Sequence, residues 1–532
     1  TKKEFMKQLT QQQINQLMMM HQKGLYKQAI VEANNLIKSF PNELMLFNVL
    51  GVCLEQEGEF EKAANAYRQA IKINPSIPEL QFNLGAMLFA LNESEKAIPF
   101  YKESIRLNPN FTEAYFNLGI LFQSQSKFSD AISNYDKALN IQPGFYEAIA
   151  NIGSIKQLQG DLDMAIDLFK KSLHIKEDAK GHYNLAGAYR NQGDLISAIE
   201  HYKKAVQLGA NEAEFYSDLG DALWHDGQIK EAKEFLNMAV KVDPKHPRAN
   251  YQLAVFLYDN KQFKDAIKYF NESQFEDWQE RTLYCHYKLK DFEIFKEKLI
   301  PLTKTKNNSP FLATLSTHYA QNFKQLDTYQ FCPSPLDYVC HKKIPELKAD
   351  NFSLVKDLLH DINQADIGLR KQSRLTAGIQ SSGNLFKRKE KSFKALKNAL
   401  VSILENYYLD MKHNQCEFIR SFPKKIEFSS SWFVKMQNGG HLNSHIHEDG
   451  WISGAVYLSI PSPKQLSNEG AIELSTDGDD YPRLHKEFPK KTILPEVGDV
   501  IFFPSSVFHR TIPFKSNEER ICIAFDLKPE EY

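Results

Sequence analysis

Hydrophobic and polar positions follow different patterns in the two halves of the chain. Between about residue 10 and residue 280, apolar positions recur in paired segments of helical length. From residue 426 onward, short runs rich in β-branched and aromatic residues, such as "WISGAVYLSIP" at 451–461, are separated by Gly, Pro, Asn and Asp. The pattern predicts an all-α first half and a C-terminal region built mainly of strands.

The helical half also repeats itself. The segment "FNLGAMLFALNESEKAIPFYKESIRLNP" at 82–109 is followed by "FNLGILFQSQSKFSDAISNYDKALNIQP" at 116–143. Glycines with a period of about 34 residues are Gly51, Gly85, Gly119 and Gly153. Alanines in the same register are Ala63, Ala97, Ala131, Ala165, Ala198, Ala232 and Ala266. Aromatic residues that we expect between paired helices are Tyr67, Tyr101, Tyr135, Phe169, Tyr202 and Phe270.

This half closely resembles the tetratricopeptide repeat family. The resemblance implies about eight helix-turn-helix repeats within residues 1–280, stacked into a superhelix. Residues 281–330 are predicted to be helical but out of register, as a degenerate repeat or capping helices followed by a linker.

One polar residue per repeat lies two positions before the small residue of each predicted first helix. These residues are Asn83, Asn117, Asn151, Asn184 and Asp218. A carboxamide offers both a donor and an acceptor, so a ladder of them could hold the backbone of an extended peptide. Tetratricopeptide proteins that hold peptides, including large glycosyltransferases, use asparagine at the matching position. The alternative is that these side chains follow the repeat pattern and bond only to neighbouring helices.

Composition narrows the class of protein. The chain has 532 residues, and its 65 basic and 66 acidic side chains give a formal net charge of -1. This balance argues against a broad basic surface for nucleic acid or membrane. The six cysteines are scattered without a CxxC pair, and no run approaches the roughly 20 apolar residues of a membrane span. We therefore expect a cytoplasmic protein.

Beyond Pro335 the repeat period is lost, and a third region, 331–532, begins. Segments 351–365 and 391–411 have helical periodicity, whereas "TAGIQSSGNLF" at 376–386 is turn-rich. Five or more strands after these helices predict a double-stranded β-helix, or jelly roll, with flanking helices.

Candidate metal ligands come just before one of these predicted strands, in "HIHEDG" at 445–450. Because successive side chains of an extended segment alternate, His445, His447 and Asp449 would point one way. His509 ends a later apolar strand, and Arg520 begins the next. Side chains from these segments can converge within a jelly roll, as in non-haem Fe(II) oxygenases.

Three separated segments carry a more specific resemblance. They are "WFVKMQNGGHLNSHIHEDGWISGAVYLSIP", "TAGIQSSGNLF" and "GDVIFFPSSVFHRTIPF…ERICIAFDL". Together they resemble a family of Fe(II)- and 2-oxoglutarate-dependent oxygenases with an H-x-H element before Ser-Gly and a distal histidine after Phe-Pro. The resemblance implies that His445, His447 and His509 bind the metal. It also implies that Arg520 binds the far carboxylate of 2-oxoglutarate.

Further site residues follow from the same resemblance. Ser453, Tyr457 and Asn384 are candidates for cosubstrate contact or pocket lining. Cys522 stands where many relatives have serine, which would weaken cosubstrate binding. The metal set stays open between His445 and Asp449, because His447-x-Asp449 fits the commonest triad and His445-x-His447 fits the family motif.

These features predict a dioxygenase that hydroxylates a protein or peptide recruited by the repeats, with Fe(II) and 2-oxoglutarate as cofactors. Two other hypotheses remain. One is a non-catalytic repeat scaffold with a degenerate jelly roll, and the other is an oxygenase that acts on a small molecule.

Overall fold

The computed structural model describes residues 9–306, 308–364, 367, 369–370, 374–381, 384–448, 450–462 and 467–528. Contacts divide the chain into two compact units, Thr1–Ala188 and Tyr189–Tyr532. The first unit and the beginning of the second consist of helix pairs, and the remainder of the second unit adds two β-sheets.

The first unit is a series of helix-turn-helix pairs joined by short turns. Its helices are α1 (Gln11–Gln22), α2 (Tyr26–Ser39), α3 (Leu44–Gln56), α4 (Phe60–Ile73), α5 (Pro78–Ala90), α6 (Ser94–Leu107), α7 (Thr112–Ser124), α8 (Phe128–Ile141), α9 (Tyr146–Leu158) and α10 (Leu162–Ile175). Helix α11 (Ala179–Gln192) crosses the boundary between the units.

The repeated small and aromatic residues account for the close packing of each pair. A Cβ atom on Gly119 of α7 would lie 2.6 Å from Cε1 of Tyr135 on α8. A Cβ atom on Gly85 would likewise come within 3.0 Å of the Tyr101 ring. Glycine is therefore needed where the ring of the second helix lies against the backbone of the first. The aligned alanines are fully buried.

The second unit continues with helices of the same kind. They are α12 (Leu195–Gln207), α13 (Ala213–His225), α14 (Ile229–Val242), α15 (Pro247–Asp259), α16 (Phe263–Ser273), α17 (Trp278–Lys288), α18 (Phe292–Thr305) and α19 (Pro310–Asn322). The last three occupy the segment that the sequence predicts to be helical but out of register.

Short helices and two longer ones precede and flank the sheets. They are the 3-10 turn Pro335–Tyr338, α20 (Pro345–Lys348), the 3-10 turn Ala349–Asn351, α21 (Ser353–Gln364), the 3-10 turn Leu385–Lys387, α22 (Lys391–Met411) and α23 (Glu417–Arg420). Helices α21 and α22 match the two segments with predicted helical periodicity.

The strands form two sheets. The strands are β1 (Cys340–Lys343), β2 (Leu369–Arg370), β3 (Leu375–Ser381), β4 (Phe428–Leu442), β5 (Ile452–Ser459), β6 (Ile472–Ser475), β7 (Lys490–Ile493), β8 (Asp499–Pro504), β9 (Phe508–Thr511) and β10 (Arg520–Leu527). The larger sheet has the order β1-β8-β5-β10-β4-β3-β2, and the smaller has the order β7-β6-β9. Pairing is antiparallel throughout these described strands. Side chains of both sheets, such as Met436 on β4 and Leu474 on β6, share one buried core, as a jelly roll requires.

Two details differ from the sequence prediction. The segment interpreted as turn-rich contains β3, which pairs with β4 through an irregularity between Thr376 and Gly378. Ala377 takes a positive φ of 47° there, so the small and glycine residues serve a bulge inside a strand. Strand β7 was not predicted, because its exposed "KKTI" lacks the apolar alternation of a buried strand.

Across the described residues, every helix is too short or too polar to cross a membrane.

Candidate active site

Three imidazoles meet between the two sheets of the second unit. His445 follows β4, His447 lies two residues further, and His509 is part of β9. One ring nitrogen from each of the three side chains lies within 4.8 Å of the other two. The backbones of His445 and His509 form an antiparallel bridge, with N–H to carbonyl distances of 3.1 Å and 2.9 Å. This bridge fixes the two rings side by side although the residues are distant in sequence.

Hydrogen bonds orient these rings from behind. Nδ1 of His445 lies 2.8 Å from the carbonyl of Asn443, and Nδ1 of His447 lies 2.6 Å from Oδ1 of Asp526. A proton on each Nδ1 would donate to these acceptors and leave each Nε2 lone pair free. The two Nε2 atoms lie 3.3 Å apart, so they face the same small space.

Burial keeps the imidazoles of His445 and His509 neutral. His445 is buried, and desolvation together with the neighbouring His509 and His447 holds its pKa well below the usual value. Desolvation, followed by the nearby His447, lowers the pKa of His509 to about 3. A metal ion can therefore bind these nitrogens at neutral pH without displacing protons from them.

Arg520 lies in the same cavity without a carboxylate partner. Its guanidinium donates from Nε to the carbonyl of Gly470 at 3.1 Å and packs over the ring of Tyr457 at 5.1 Å. Within the described part of the chain, no carboxylate oxygen comes within 4.0 Å of it. The buried hydroxyl of Tyr457 also lacks a hydrogen-bond partner there. A guanidinium without a carboxylate partner, beside a buried hydroxyl without a hydrogen-bond partner, is suited to a carboxylate ligand.

Other predicted contact residues are placed differently. The amide of Asn384 donates to the carbonyls of Phe428 and Ser429 at 3.2 Å, so this side chain joins backbone segments and does not line the cavity. The two carbonyls thus occupy the donors of this amide, and a contact of Asn384 with the cosubstrate stays a prediction. Ser453 does line the cavity, but its hydroxyl lies 2.7 Å from Oδ1 of Asp526 and 3.1 Å from Nδ1 of His447. The Ser453 hydroxyl therefore contacts both His447 and its partner Asp526, and its contact with the cosubstrate stays a prediction.

Asp526 was not predicted as a site residue, although it supports His447 directly. Burial disfavours its charged form, but His447, Ser453 and Ser430 together lower its pKa below the usual value. Its position six residues after Arg520, on the same strand, could have indicated that its side chain shares a face with Arg520. Asp449, the alternative metal ligand, lies outside the described residues.

The helices α15 and α17 hold the segment that carries the H-x-H element. The hydroxyl of Tyr258 donates to Glu448 at 2.7 Å, and Nη1 of Arg281 lies 2.8 Å from the same carboxylate. Ile446 and Glu448 line one cavity, whereas His445 and His447 line another. The predicted alternation of side chains along this segment therefore holds for these four residues.

The predicted peptide ladder has two kinds of member. Asn83, Asn117, Asn151 and Asn184 are half-buried on first helices of the repeats. Asn151 donates to the hydroxyl of Tyr135 at 3.2 Å. Asp218 is buried, and Arg248 lies 2.7 Å and Arg190 3.3 Å from its carboxylate. Its charge is thus balanced by the chain's own arginines.

Protein-family models match both the repeat half of the chain and its C-terminal domain. Residues 430–526 match a family described as "Putative 2OG-Fe(II) oxygenase". Tetratricopeptide repeat families match 54–92, 78–111, 112–145, 146–178 and 217–281, and a family of YpiA-like C-terminal tetratricopeptide repeats matches 180–246. The chain joins tetratricopeptide repeats to a C-terminal domain of this oxygenase family. Both predicted resemblances and the predicted fold class are confirmed.

Searches of known proteins gave similarities to the repeats. No curated protein matched the chain. A crystal structure of MamA is 28% identical, with 30% of this chain and 92% of that chain covered and a TM-score of 0.29. A tetratricopeptide repeat protein from Parabacteroides merdae is 18% identical, with coverages of 46% and 98% and a TM-score of 0.41. YrrB, titled a TPR protein with an unusual peptide-binding site, is 20% identical, with coverages of 35% and 96% and a TM-score of 0.29.

Proposed function

We propose that this protein is an Fe(II)- and 2-oxoglutarate-dependent dioxygenase that hydroxylates a protein or peptide recruited by its repeats. The observation that carries the proposal is the cluster of His445, His447 and His509 in one cavity with the unpaired Arg520. A structural metal site needs no buried guanidinium without a carboxylate partner. A site that also binds a dicarboxylate does need one.

The donor set fits the metal and the cosubstrate. Imidazole nitrogens are suitable ligands for Fe(II). His445, His447 and His509 each bring one ring nitrogen close enough to the others to bind a single ion. Arg520 and Tyr457 would bind the carboxylate of 2-oxoglutarate that is remote from the metal. When bound, Fe(II) and 2-oxoglutarate supply the activation of dioxygen and the oxidising power to hydroxylate a C–H bond.

The chain's own residues orient these groups. Asp526 accepts a hydrogen bond from Nδ1 of His447 and so directs the opposite nitrogen toward the cavity. The carbonyl of Asn443 does the same for His445. Apolar side chains, including Val434, Ile472 and Phe503, line the cavity and exclude water around the reacting groups.

Recruitment of a protein substrate is inferred from the repeats, which are protein-interaction modules. The asparagines of the first unit are only half-buried, and Asn151 donates to the Tyr135 hydroxyl. A carboxamide has two N–H donors and an acceptor oxygen, so one bond to a neighbouring helix leaves capacity for bonds to a peptide backbone. Binding there would raise the effective concentration of the substrate at the active site, so weak contacts would suffice.

The metal and cosubstrate hypothesis is tested by anaerobic titration of the full chain with Fe(II) and 2-oxoglutarate. We expect a weak visible charge-transfer band, which is absent from His509→Ala and weaker in Arg520→Ala. His413→Ala is the matched control, because His413 is exposed and outside the cluster. An unchanged band in His509→Ala, or no band in the parent protein, would overturn the proposal and favour a non-catalytic scaffold.

The substrate hypothesis needs a separate experiment. A cell lysate is incubated with the full-length protein under ¹⁸O₂, and mass spectrometry identifies peptides that gain one labelled oxygen. We expect such peptides with the parent protein, none with His509→Ala, and fewer with Asn117→Ala/Asn151→Ala. Asn65→Ala, on the exposed face of α4, serves as the control. Labelled small molecules without labelled peptides would favour the small-molecule hypothesis.

A further inference from the structure

A second cavity of the same unit lies on the other side of the H-x-H segment. Helices α13, α15 and α17 contribute to its wall, and Ile446 and Glu448 complete it. The segment 445–448 thus separates this cavity from the one that contains the imidazoles, with alternate side chains on each side. A group bound here would lie beside the reacting position, not at it.

Arginines line this cavity, but each is paired with a carboxylate. The pairs are Arg248–Asp218 at 2.7 Å, Arg281–Glu448 and Arg281–Asp277 at 2.8 Å, and Arg374–Asp479 at 3.6 Å. Their positive charge is therefore already balanced, and the cavity does not offer a free cation to an anionic ligand.

Two acids of the lining are not paired in this way. Asp259 at the end of α15 and Glu276 before α17 have no cation within 4.0 Å among the residues that the structure describes. Solvent reaches the side chain of Asp259, yet loss of hydration to the surrounding protein and the nearby Glu448 raise its pKa to about 6. Loss of hydration is the larger cause of this change, and Arg374 and Arg281 oppose it. Asp259 and Glu276 are therefore identified by their lack of an ion pair, whereas Asp221 and Glu448 in the same wall each have an arginine partner.

Aromatic side chains also line the cavity. Trp224, Tyr251 and Phe275 belong to its wall, and the rings of Tyr251 and Phe275 pack edge to face at 5.7 Å. The cavity wall already holds one such contact, because the Arg281 guanidinium lies 5.9 Å from the centre of the Tyr251 ring. Aromatic side chains beside unpaired carboxylates favour an organic cation with an apolar stem. Lysine and arginine side chains have this chemistry.

We propose that this cavity binds the cationic side chain of a lysine or arginine in the substrate and so places a neighbouring residue at the metal. The inference rests on the proposed function, whose substrate class it specifies. A peptide is favoured over a free amino acid, because the cavity is formed by repeat helices and shares a wall with the metal site. A free amino acid would offer the same cation, and the test distinguishes the two sources.

The test uses the full-length protein and ligand-observed saturation-transfer NMR, which detects weak binding. The probes are an acetylated, amidated Gly-Ala-Lys-Ala-Gly peptide, its norleucine and glutamate counterparts, and free lysine. We expect the lysine peptide to bind at least tenfold more tightly than the norleucine peptide. In Asp259→Asn/Glu276→Gln this preference should fall to less than threefold. Asp265→Asn/Glu272→Gln, with the same charge change on exposed positions of α16, should retain it.

The outcomes separate this inference from the proposed function. Equal or tighter binding of the norleucine or glutamate peptide, or no transfer to any cation, overturns the cation site. If free lysine binds as tightly as the lysine peptide, the cation that the cavity recognises need not belong to a peptide, and that part of the proposal is overturned. The Fe(II)/2-oxoglutarate charge-transfer band is measured on the same samples and should persist in Asp259→Asn/Glu276→Gln. If the protein shows no preference for the lysine peptide over the norleucine peptide but still gives the charge-transfer band, the cation site is overturned and the oxygenase proposal is not.

Discussion

Arg281 on α17 and Glu448, the residue directly after His447, form an ion pair of 2.8 Å. The Arg281 side chain is 9% exposed and that of Glu448 is 20% exposed, so solvent screens the pair only in part. Tyr258 on α15 donates to the same carboxylate. These contacts belong to one compact unit and connect repeat-type helices with the segment that carries the metal-side histidines. The helices therefore act as structural support for the site as well as a binding surface.

Weakening this connection should weaken metal binding. Glu448→Gln removes the charge and leaves His445 and His447 unchanged, so any loss arises from their positioning. We expect Co(II) affinity to fall about tenfold, the size typical of residues that support metal ligands. Visible absorption during Co(II) titration measures the effect. Asp480→Asn breaks the exposed 3.5 Å pair with Lys261 and should leave Co(II) affinity within twofold. Equal affinities in both variants would show that the α17 contact does not position the segment.

Asp526 should contribute to metal affinity through its contact with His447, although the sequence did not identify it as a site residue. Asp526→Asn keeps an acceptor for Nδ1 of His447 but loses the negative charge that orients and polarises the ring. We expect metal affinity to fall by about 10- to 100-fold. Isothermal titration with Co(II) provides the measurement. Asp410→Asn, an exposed change of the same charge, is the control. A normal affinity in Asp526→Asn would mean that the backbone bridge alone orients the ligands.

Much of the repeat half could be predicted from the sequence, because its packing is local and periodic. Gly119 and Tyr135 belong to one helix pair, so their spacing alone indicates the contact that the structure contains. The strands β5, β8 and β10 were also predictable from their continuous apolar character.

The remainder depends on contacts between distant residues. His445 and His509 were predicted to converge, but the backbone bridge between them follows from sheet pairing that no local pattern encodes. The amide of Asn384 donates to the carbonyls of Phe428 and Ser429 on β4, a choice of partners that only the folded chain determines. The support from Arg281 was missed for the same reason, since nothing near Glu448 in the sequence indicates α17.

The metal-free protein should lose stability as the pH falls below neutrality. The folded-state pKa of His509 is about 3, below its ordinary value of 6.5, and that of His445 is also lowered. Below pH 6.5 the unfolded chain therefore binds more protons than the folded chain, and the free energy of unfolding decreases toward pH 3. Each such histidine contributes a slope of about 1.4 kcal/mol per pH unit.

Thermal unfolding of the metal-free protein between pH 8 and pH 5 measures this slope. His509→Gln should unfold at a midpoint that falls less steeply with decreasing pH, because one proton-binding group is removed from the unfolded chain. His413→Gln changes an exposed histidine and should retain the parent slope. A parent-like slope in His509→Gln would show that His509 is protonated normally in the folded protein.

Tyr457→Phe should have opposite effects on stability and on cosubstrate binding. The buried hydroxyl of Tyr457 has no partner among the described residues, so its removal should stabilise the metal-free protein by about 1 kcal/mol. If this hydroxyl bonds to the carboxylate held by Arg520, the same change should weaken 2-oxoglutarate binding about 3- to 10-fold.

Tyr407→Phe is the matched control, because the hydroxyl of Tyr407 is buried but donates to the carbonyl of Tyr338 at 2.9 Å. It should destabilise the protein and leave 2-oxoglutarate affinity unchanged. Thermal unfolding and titration of the charge-transfer band measure the two effects. Unchanged 2-oxoglutarate affinity in Tyr457→Phe would place the cosubstrate away from this hydroxyl.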